Sequence, residues 1–176
     1  MNYEGYLITI KPFMDANFGS SVVIYADKEV AKSKASSYFG QTFISKVAIS
    51  IDNPFITDTT DPFVDIGKFR PLLSADLYNQ LARSNPVELT ETNEWERVQE
   101  RHPGLKLMEV FTQFPEEFDK LPLWAEEVYS TTTVHASMLA NNYDGAVHAV
   151  HGPYPGAVAY HTFHPARITL IEEVTA

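Results

Sequence analysis

The sequence contains no cysteine, no long apolar run and no recognisable signal peptide. Without cysteine, the chain has no disulfides, thiolate metal sites or cysteine nucleophiles. No apolar stretch approaches the roughly 20 residues that a membrane-spanning helix needs. The first residues, MNYEGYLITIKPF, lack a basic region followed by an apolar one. These absences predict a cytoplasmic protein that does not enter a membrane.

Positive charge is also scarce. The chain has 13 lysine and arginine residues against 23 acidic ones, which gives a formal net charge of −10. A phosphate backbone would be repelled by this excess, so direct nucleic-acid binding is not expected and the expected macromolecular partner is a protein. With 176 residues, of which 44% are hydrophobic, the composition predicts a single domain over residues 1–176.

Two common families of catalytic motif are missing. The glycines are scattered singly, without the Gly-x-Gly-x-x-Gly or Gly-Lys-Ser/Thr patterns that bind phosphates. No Gly-x-Ser-x-Gly elbow marks a hydrolase nucleophile. The acidic pairs Glu116-Glu117 and Glu126-Glu127 lie on predicted helices beside aromatic residues, so we interpret them as solvated faces.

Hydrophobic periodicity and turn residues predict strands at both ends of the chain and helices between them. The predicted strands lie near residues 3–10, 21–26, 43–51, 145–150 and 157–164. The predicted helices lie near residues 27–39, 74–83, 91–101, 115–129 and 132–140. This order is typical of the α+β class, with a curved or split antiparallel sheet. Residues 57–131 are expected to form a helical insertion or lid.

Four of the six histidines lie between residues 141 and 168. The segment GAVHAV, the turn HGPYPG and the segment AVAYHTFH predict a β-hairpin with its turn at 151–156. In that register His148 faces Ala159, and Ala146 faces His161. The histidines would then be surface or half-buried residues of a hairpin.

The same histidines raise the question of a metal site. His148 and His151 are three residues apart, as are His161 and His164, and this spacing suits a helix or a turn. On a strand it places the two rings of each pair on opposite faces. We therefore predict that the hairpin forms no tetrahedral metal site.

Three blocks of the chain, taken in order, resemble one known family. The first is Ser21-Val-Val-Ile-Tyr-Ala-Asp27 with the helical Lys28-Glu-Val-Ala-Lys-Ser-Lys-Ala, and the second is Val47-Ala-Ile-Ser-Ile-Asp-Asn-Pro54. The third is Asn142-Tyr-Asp-Gly-Ala-Val147 with Ala159-Tyr-His-Thr-Phe-His-Pro-Ala-Arg-Ile168. Together they resemble small ADP-ribosyltransferase-like domains of bacterial toxins and phage proteins.

This resemblance implies a split sheet that binds NAD as a substrate. An aromatic residue would stack on the nicotinamide, and Tyr25 matches it, although it equally fits an ordinary strand residue. Tyr3-Glu4-Gly5 is the counterpart of the family's ribose-holding Tyr-His-Gly or Tyr-Arg-Gly, and Tyr6-Leu7-Ile8-Thr9 is an alternative register. Asp144 lies in the matched Tyr-Asp-Gly turn. The resemblance thus assigns Tyr3, Gly5, Tyr25 and Asp144 to NAD binding.

The chain departs from the family where the catalytic glutamate is expected. That acid stabilises the positive charge that develops on the ribose, and the matching positions are Val158 and Ala159. The candidates to replace it are Glu4, at a matched motif position, and His148 and His161, near the vacated site.

Two functional hypotheses follow from these matches and departures. The first is an atypical NAD-dependent mono-ADP-ribosyltransferase that modifies a protein or nucleic-acid target. The second is a domain of the same fold that has lost its chemistry and works by binding, with its acidic surface engaging a basic partner. A protein that mimics DNA, and so opposes a nucleic-acid-binding protein, is a narrower form of the second.

Overall fold

A computed structural model of the protein describes residues 1–19 and 21–174. Its strands, numbered in chain order, are Asn2–Thr9 (β1), Val22–Tyr25 (β2), Phe43–Ser50 (β3), Pro54–Ile56 (β4), Phe63–Asp65 (β5), Pro122–Trp124 (β6), Gly145–Ala149 (β7), Val158–Thr162 (β8) and Ile168–Val174 (β9). Its helices are Lys28–Ala35 (α1), Ala75–Ser84 (α2), Pro86–Thr90 (α3), Asn93–Arg101 (α4), Leu107–Gln113 (α5), Pro115–Phe118 (α6), Ala125–Tyr129 (α7) and Thr132–Ala140 (α8).

The predicted α+β class is confirmed. The chain forms two compact units, one of residues 1–62 with 129–176 and the other of residues 63–128. Seven strands of the first unit form one sheet in the order β4-β7-β8-β2-β1-β3-β9. Within the described residues this sheet is continuous and is not divided into two halves. None of the helices in the described part of the chain has the length and apolar character needed to cross a membrane.

The five predicted strands are all present, and each ends within two residues of its predicted bounds. Their pairings are antiparallel. The prediction of a purely antiparallel sheet is wrong at one edge, because β4 pairs with β7 in parallel. Pro54 begins β4, and a proline is tolerated as the first residue of an edge strand. The other edge strand, β9, was not predicted.

The predicted helix over residues 115–129 is also wrong. The chain there forms α6, β6 and α7 in succession. Leu121 and Leu123 are fully buried while Pro122 and Trp124 are half-buried, which is the alternation of a strand. Pro122 would have broken a helix at this point.

Helix α1 begins where it was predicted and ends early. The Asp27 side chain accepts hydrogen bonds from the backbone N–H groups of Glu29 and Val30, which is the predicted cap. The helix stops at Ala35 and not near Gly40, and the hydroxyl of Ser36 then bonds back to a backbone carbonyl.

The sheet of the first unit has an apolar cluster on each face. Because successive strand residues point to opposite faces, Ile24 and Tyr25 belong to different clusters. The cluster with Ile24 also contains Leu7, Val47, Ile49 and Ile51. The cluster with Tyr25 also contains Val30, Ala31, Ile44 and Ala159, so α1 packs on this face of the sheet.

The second unit is mainly helical and is completed by the β5–β6 pair. The rings of Phe63 and Trp124, which face each other across this pair, stack with their centroids 3.9 Å apart. Elsewhere in the unit, Arg70 lies over the ring of Tyr78 and forms a bidentate ion pair with Asp119. These contacts hold α2 against the chain that precedes β6.

Candidate functional site

The register of three neighbouring strands brings several predicted site residues onto one face. Tyr25 on β2 pairs with Ala159 on β8, and Ala159 pairs with His148 on β7. Ala146 pairs with His161, so both predicted hairpin pairings are confirmed. Since Ala159 and His161 are two residues apart, their side chains share a face with Tyr25 and His148.

This face is sealed from solvent. Tyr25 is 1% exposed, and Ala159 and His148 are 0% exposed. Tyr25 packs in the same cluster as Val30 and Ala31 of α1. The ring of Tyr25 therefore presents no open side on which a nicotinamide would stack in this conformation.

The two buried histidines form a cluster with Tyr129. The ring centroids of His148 and His161 are 5.0 Å apart, and the Tyr129 ring lies 5.5 Å from the first and 5.8 Å from the second. Nδ1 of His148 bonds to the backbone carbonyl of Ala149 at 2.7 Å. Nδ1 of His161 lies 3.5 Å from the hydroxyl of Ser21, at the limit of a hydrogen bond.

Burial lowers the pKa values of histidines in and beside this cluster. It lowers the pKa of His161 well below the ordinary value, and the neighbouring His148 and His135 lower it further, while the backbone carbonyl of Tyr129 opposes them in part. Burial likewise lowers the pKa of His135, although its Nε2 hydrogen bonds to the carbonyl of Tyr129. His161 is therefore neutral at pH 7.

A buried neutral imidazole can hold a proton donor or acceptor in place, but catalysis also requires access to substrate. His161 is 1% exposed and His148 is 0% exposed. In residues 1–19 and 21–174, no group of three or more histidines, cysteines and carboxylates is arranged to hold a metal ion. The geometry therefore gives the two histidines a place in the core, contrary to the surface or half-buried position expected from the sequence.

Glu4 lies apart from the histidines. Its side chain is 63% exposed and forms an ion pair with Lys46 on β3, with an Nζ–Oε2 distance of 3.1 Å. This pairing raises the pKa of Lys46 through the hydrogen bond and charge of Glu4. The structure thus does not bring Glu4 together with His148 or His161.

Tyr3 and Gly5 belong to the opposite face of β1 from Tyr6, which pairs with Tyr25. The ring of Tyr3 packs on that of Tyr160, with centroids 4.5 Å apart. A Cβ on Gly5 would lie 2.7 Å from the backbone oxygen of Tyr25. Gly5 is therefore required by the close approach of β1 and β2.

Asp144 anchors the start of β7 to the residues that follow β3. Its two carboxylate oxygens accept hydrogen bonds from the backbone N–H groups of Asp52 and Asn53, at 2.9 and 2.8 Å, and it pairs with Arg167. Burial alone would raise the pKa of Asp144, but these donors and Arg167 lower it below the ordinary value. The contacts account for Asp144 as a structural residue.

An open pocket lies at the other end of the hairpin, beside its turn. Its volume is about 570 Å³, which is within the range of small-ligand pockets. The pocket is lined by residues from the start of α1, from the turn and from β8, among them Asp27, Glu29, Tyr154, Val158 and Tyr160.

The sequence had not marked the most informative site residues. Tyr129 ends α7 and His135 lies on α8, so both precede the hairpin in the chain. Neither residue stands in a sequence motif. Tyr154 and Tyr160 had been interpreted only as turn and strand residues. In the sequence Asp27 stands only at the start of a predicted helix, and the folded hairpin places it in one pocket with the two tyrosines.

Comparison with models of protein families found no match, and neither did comparison with curated proteins or with solved structures.

Proposed function

We propose that this chain is an ADP-ribosyltransferase-like domain that has lost transferase chemistry and binds a basic protein partner. The observation that carries this proposal is the pairing of Tyr25 with Ala159. The resemblance predicts an aromatic residue at the position of Tyr25 and a glutamate at that of Ala159. Ala159 is instead a fully buried alanine. An alanine supplies no charge to stabilise an oxocarbenium ion.

Charge supports the choice of a basic partner. The net charge is −10, and complementary charge accelerates association and disfavours partners of like charge. Acidic side chains are present in both units, and several stand exposed on helices, including Glu96, Glu100 and Glu116. This surface suits a partner rich in lysine and arginine.

One observation favours the competing proposal, the NAD-dependent transferase. The open pocket includes Ala26 and Val158, the chain neighbours of Tyr25 and Ala159. Val30 of α1 lines this pocket and also packs in the buried cluster with Tyr25. In the transferase, Tyr3, Gly5, Tyr25 and Asp144 would contact NAD, and Glu4, His148 or His161 would replace the glutamate.

Calorimetric titration with NAD separates the two proposals. The binding domain is expected to give no heat up to millimolar NAD and to transfer no labelled ADP-ribose to proteins of a cell lysate. Saturable NAD binding weakened by Tyr25→Ala, together with label transfer abolished by Glu4→Gln, would establish the transferase and overturn our proposal.

The binding function has its own test. Titration with a ten-residue lysine peptide is expected to show saturable binding of defined stoichiometry that weakens as salt is raised. A ten-residue peptide of glycine and serine is the matched neutral control. Binding that never saturates, or that is equal for the two peptides, would contradict a specific basic-partner site.

A further inference from the structure

We propose that the pocket beside the hairpin turn, defined by Asp27, Glu29, Tyr154 and Tyr160, binds the side-chain ammonium group of a lysine. This inference rests on the proposed function, because it names the part of a basic partner that the domain would recognise. It is carried by the pocket's two tyrosines, its two carboxylates and the contacts that fix Asp27, Tyr154 and Tyr160.

Three of the four side chains that define the pocket are held by contacts within the protein. The hydroxyl of Tyr154 lies 2.5 Å from that of Ser33 on α1, which ties the hairpin turn to the helix. Tyr160 is packed against the ring of Tyr3. Asp27 is fixed by its two hydrogen bonds to the first turn of α1. Such preorganisation reduces the entropy lost on binding.

The charges of the pocket have one sign. Its two charged lining residues are Asp27 and Glu29, and no lysine, arginine or histidine lines it among the described residues. Lys32 lies 3.4 Å from Glu29, but Glu29 is 78% exposed there and Lys32 does not line the pocket. Phosphates and carboxylates would be repelled, whereas a cation would be attracted.

Both cap bonds of Asp27 go to the same oxygen, Oδ1. Its second oxygen accepts neither cap bond, and Asp27 and Glu29 both line the pocket, so their carboxylates supply hydrogen-bond acceptors for an ammonium group. Tyrosine rings attract such a cation through their negative faces, and their bodies accommodate the methylene chain of a lysine. The volume of about 570 Å³ is ample for one such side chain.

The test compares two small probes, of which only one carries a side-chain charge. Nα-acetyl-lysine methylamide carries the ammonium group, and its Nε-acetylated form lacks the charge. Titrations followed by NMR are expected to show saturable binding of the first probe, at least fivefold tighter than the second, with the signals of Tyr154 and Tyr160 shifting. Equal affinities, or shifts confined to other residues, would overturn the proposal.

Paired variants locate the charges that matter. The double variant Asp27→Asn with Glu29→Gln removes both charges while keeping side-chain size, and asparagine also caps helices well. We expect it to lose at least fivefold in affinity for the charged probe. The control, Glu172→Gln with Glu173→Gln, removes two exposed charges from β9 and should leave affinity unchanged. A loss of equal size in both double variants would refute a local site.

The aromatic wall is tested at Tyr154. Tyr154→Phe and Tyr154→Leu both remove the hydrogen bond to Ser33, but only the first keeps a ring. Binding retained in Tyr154→Phe and lost in Tyr154→Leu is expected. Similar binding by the two variants would show that the ring does not contact the ammonium group.

The outcomes of this test and of the test of the proposed function are separable. If the lysine peptide binds saturably but the single-lysine probe does not, the pocket proposal fails and the binding function stands. If NAD is bound and its ADP-ribose is transferred, the proposed function fails whatever the lysine probe does.

Discussion

The two ends of the β7–β8 hairpin are built in opposite ways. Its body buries His148 and His161 among aromatic residues, and every residue of β7 is buried. Its turn is exposed and contributes Tyr154 to an open pocket that contains carboxylates. The residues that looked reactive in the sequence therefore lie in the core, and those that looked structural line the accessible site.

The difference shows that residue type alone does not indicate a functional site. A histidine on a strand contributes to chemistry only where its ring reaches substrate, and both rings here are buried and pack against Tyr129. A tyrosine in a turn gains a binding role through its neighbours in space.

The largest expected effect is on the free energy of unfolding, and it distinguishes a glycine in the body of the hairpin from one in its turn. In Gly145→Ala the new Cβ would lie 2.5 Å from the backbone oxygen of His161 and 2.8 Å from a methyl carbon of Ile51. Because the backbone must shift, we expect a loss of about 3 kcal/mol in the free energy of unfolding. Urea unfolding measures it.

The matched variant is Gly156→Ala in the turn. Nothing lies within 4 Å of the position of its Cβ, but its φ of +77° is unfavourable for alanine. The expected loss is about 1 kcal/mol. Equal losses for the two glycines would contradict the tight packing assigned to the body of the hairpin.

The next effect concerns the point where the hairpin begins. Asp144→Ala removes the acceptor for two backbone N–H groups and leaves Arg167 without its buried partner. We expect a loss of about 2 kcal/mol at pH 7, since hydrogen bonds to a charged group are involved. Asp52→Ala is the control, because Asp52 meets the same arginine but is 71% exposed. If the two variants lose the same stability, Asp144 does not anchor β7.

Acid should weaken the body of the hairpin through its histidines. The folded-state pKa of His161 is lowered, so the unfolded state binds more protons as the pH falls below the ordinary value of about 6.5. Stability is then fully present above that pH and is lost progressively below it. The expected slope is up to about 1.4 kcal/mol per pH unit for each buried histidine, of which His161 and His135 are two.

His161→Leu should remove one histidine's share of this slope between pH 7 and pH 5. The control is His151→Leu in the exposed turn, which should leave the slope unchanged. Unfolding in urea at a series of pH values gives the comparison. An unaltered slope in His161→Leu would mean that His161 is protonated in the folded protein.

Local patterns predicted much of the first unit. The alternation in FISKVAIS marks β3, and the two prolines and two glycines of HGPYPG mark the turn that sets the pairing of His148 with Ala159. These features depend on neighbours in sequence. The edge strands β4 and β9 were missed because one begins with proline and the other is largely exposed, so neither shows a clear apolar alternation.

The site was harder to predict because it depends on distant contacts. Tyr129 reaches the histidines of β7 and β8 from a segment that had been assigned to one long helix. The burial of Tyr25 depends on α1 packing over it. Neither contact follows from residue spacing, so a resemblance of short motifs could indicate strands but not whether a cleft lies beside them.

The smallest expected effect concerns the ion pairs that Glu117 forms in the second unit. One partner is His102, which is half-buried, whereas His148 and His161 are fully buried. Its Nε2 lies 3.1 Å from Glu117, which also pairs with Arg101. Glu117 thus lies on a solvated face, as interpreted from the sequence, but is engaged there by two cationic partners. Arg101 and, to a lesser degree, His102 lower the pKa of Glu117, so its contribution is present above the ordinary glutamate pKa and is lost as the pH falls through the lowered one.

Glu117→Ala is accordingly expected to lower the free energy of unfolding at pH 7 by less than about 1 kcal/mol, because the pair is open to solvent. Glu116→Ala, its exposed neighbour, should change nothing measurable. Thermal unfolding of the two variants at low and high salt makes the comparison, since salt should shrink the effect of Glu117→Ala. A loss as large as that of Asp144→Ala would show that this ion pair is as well shielded as the body of the hairpin, and the contrast between buried and open histidines would then fail.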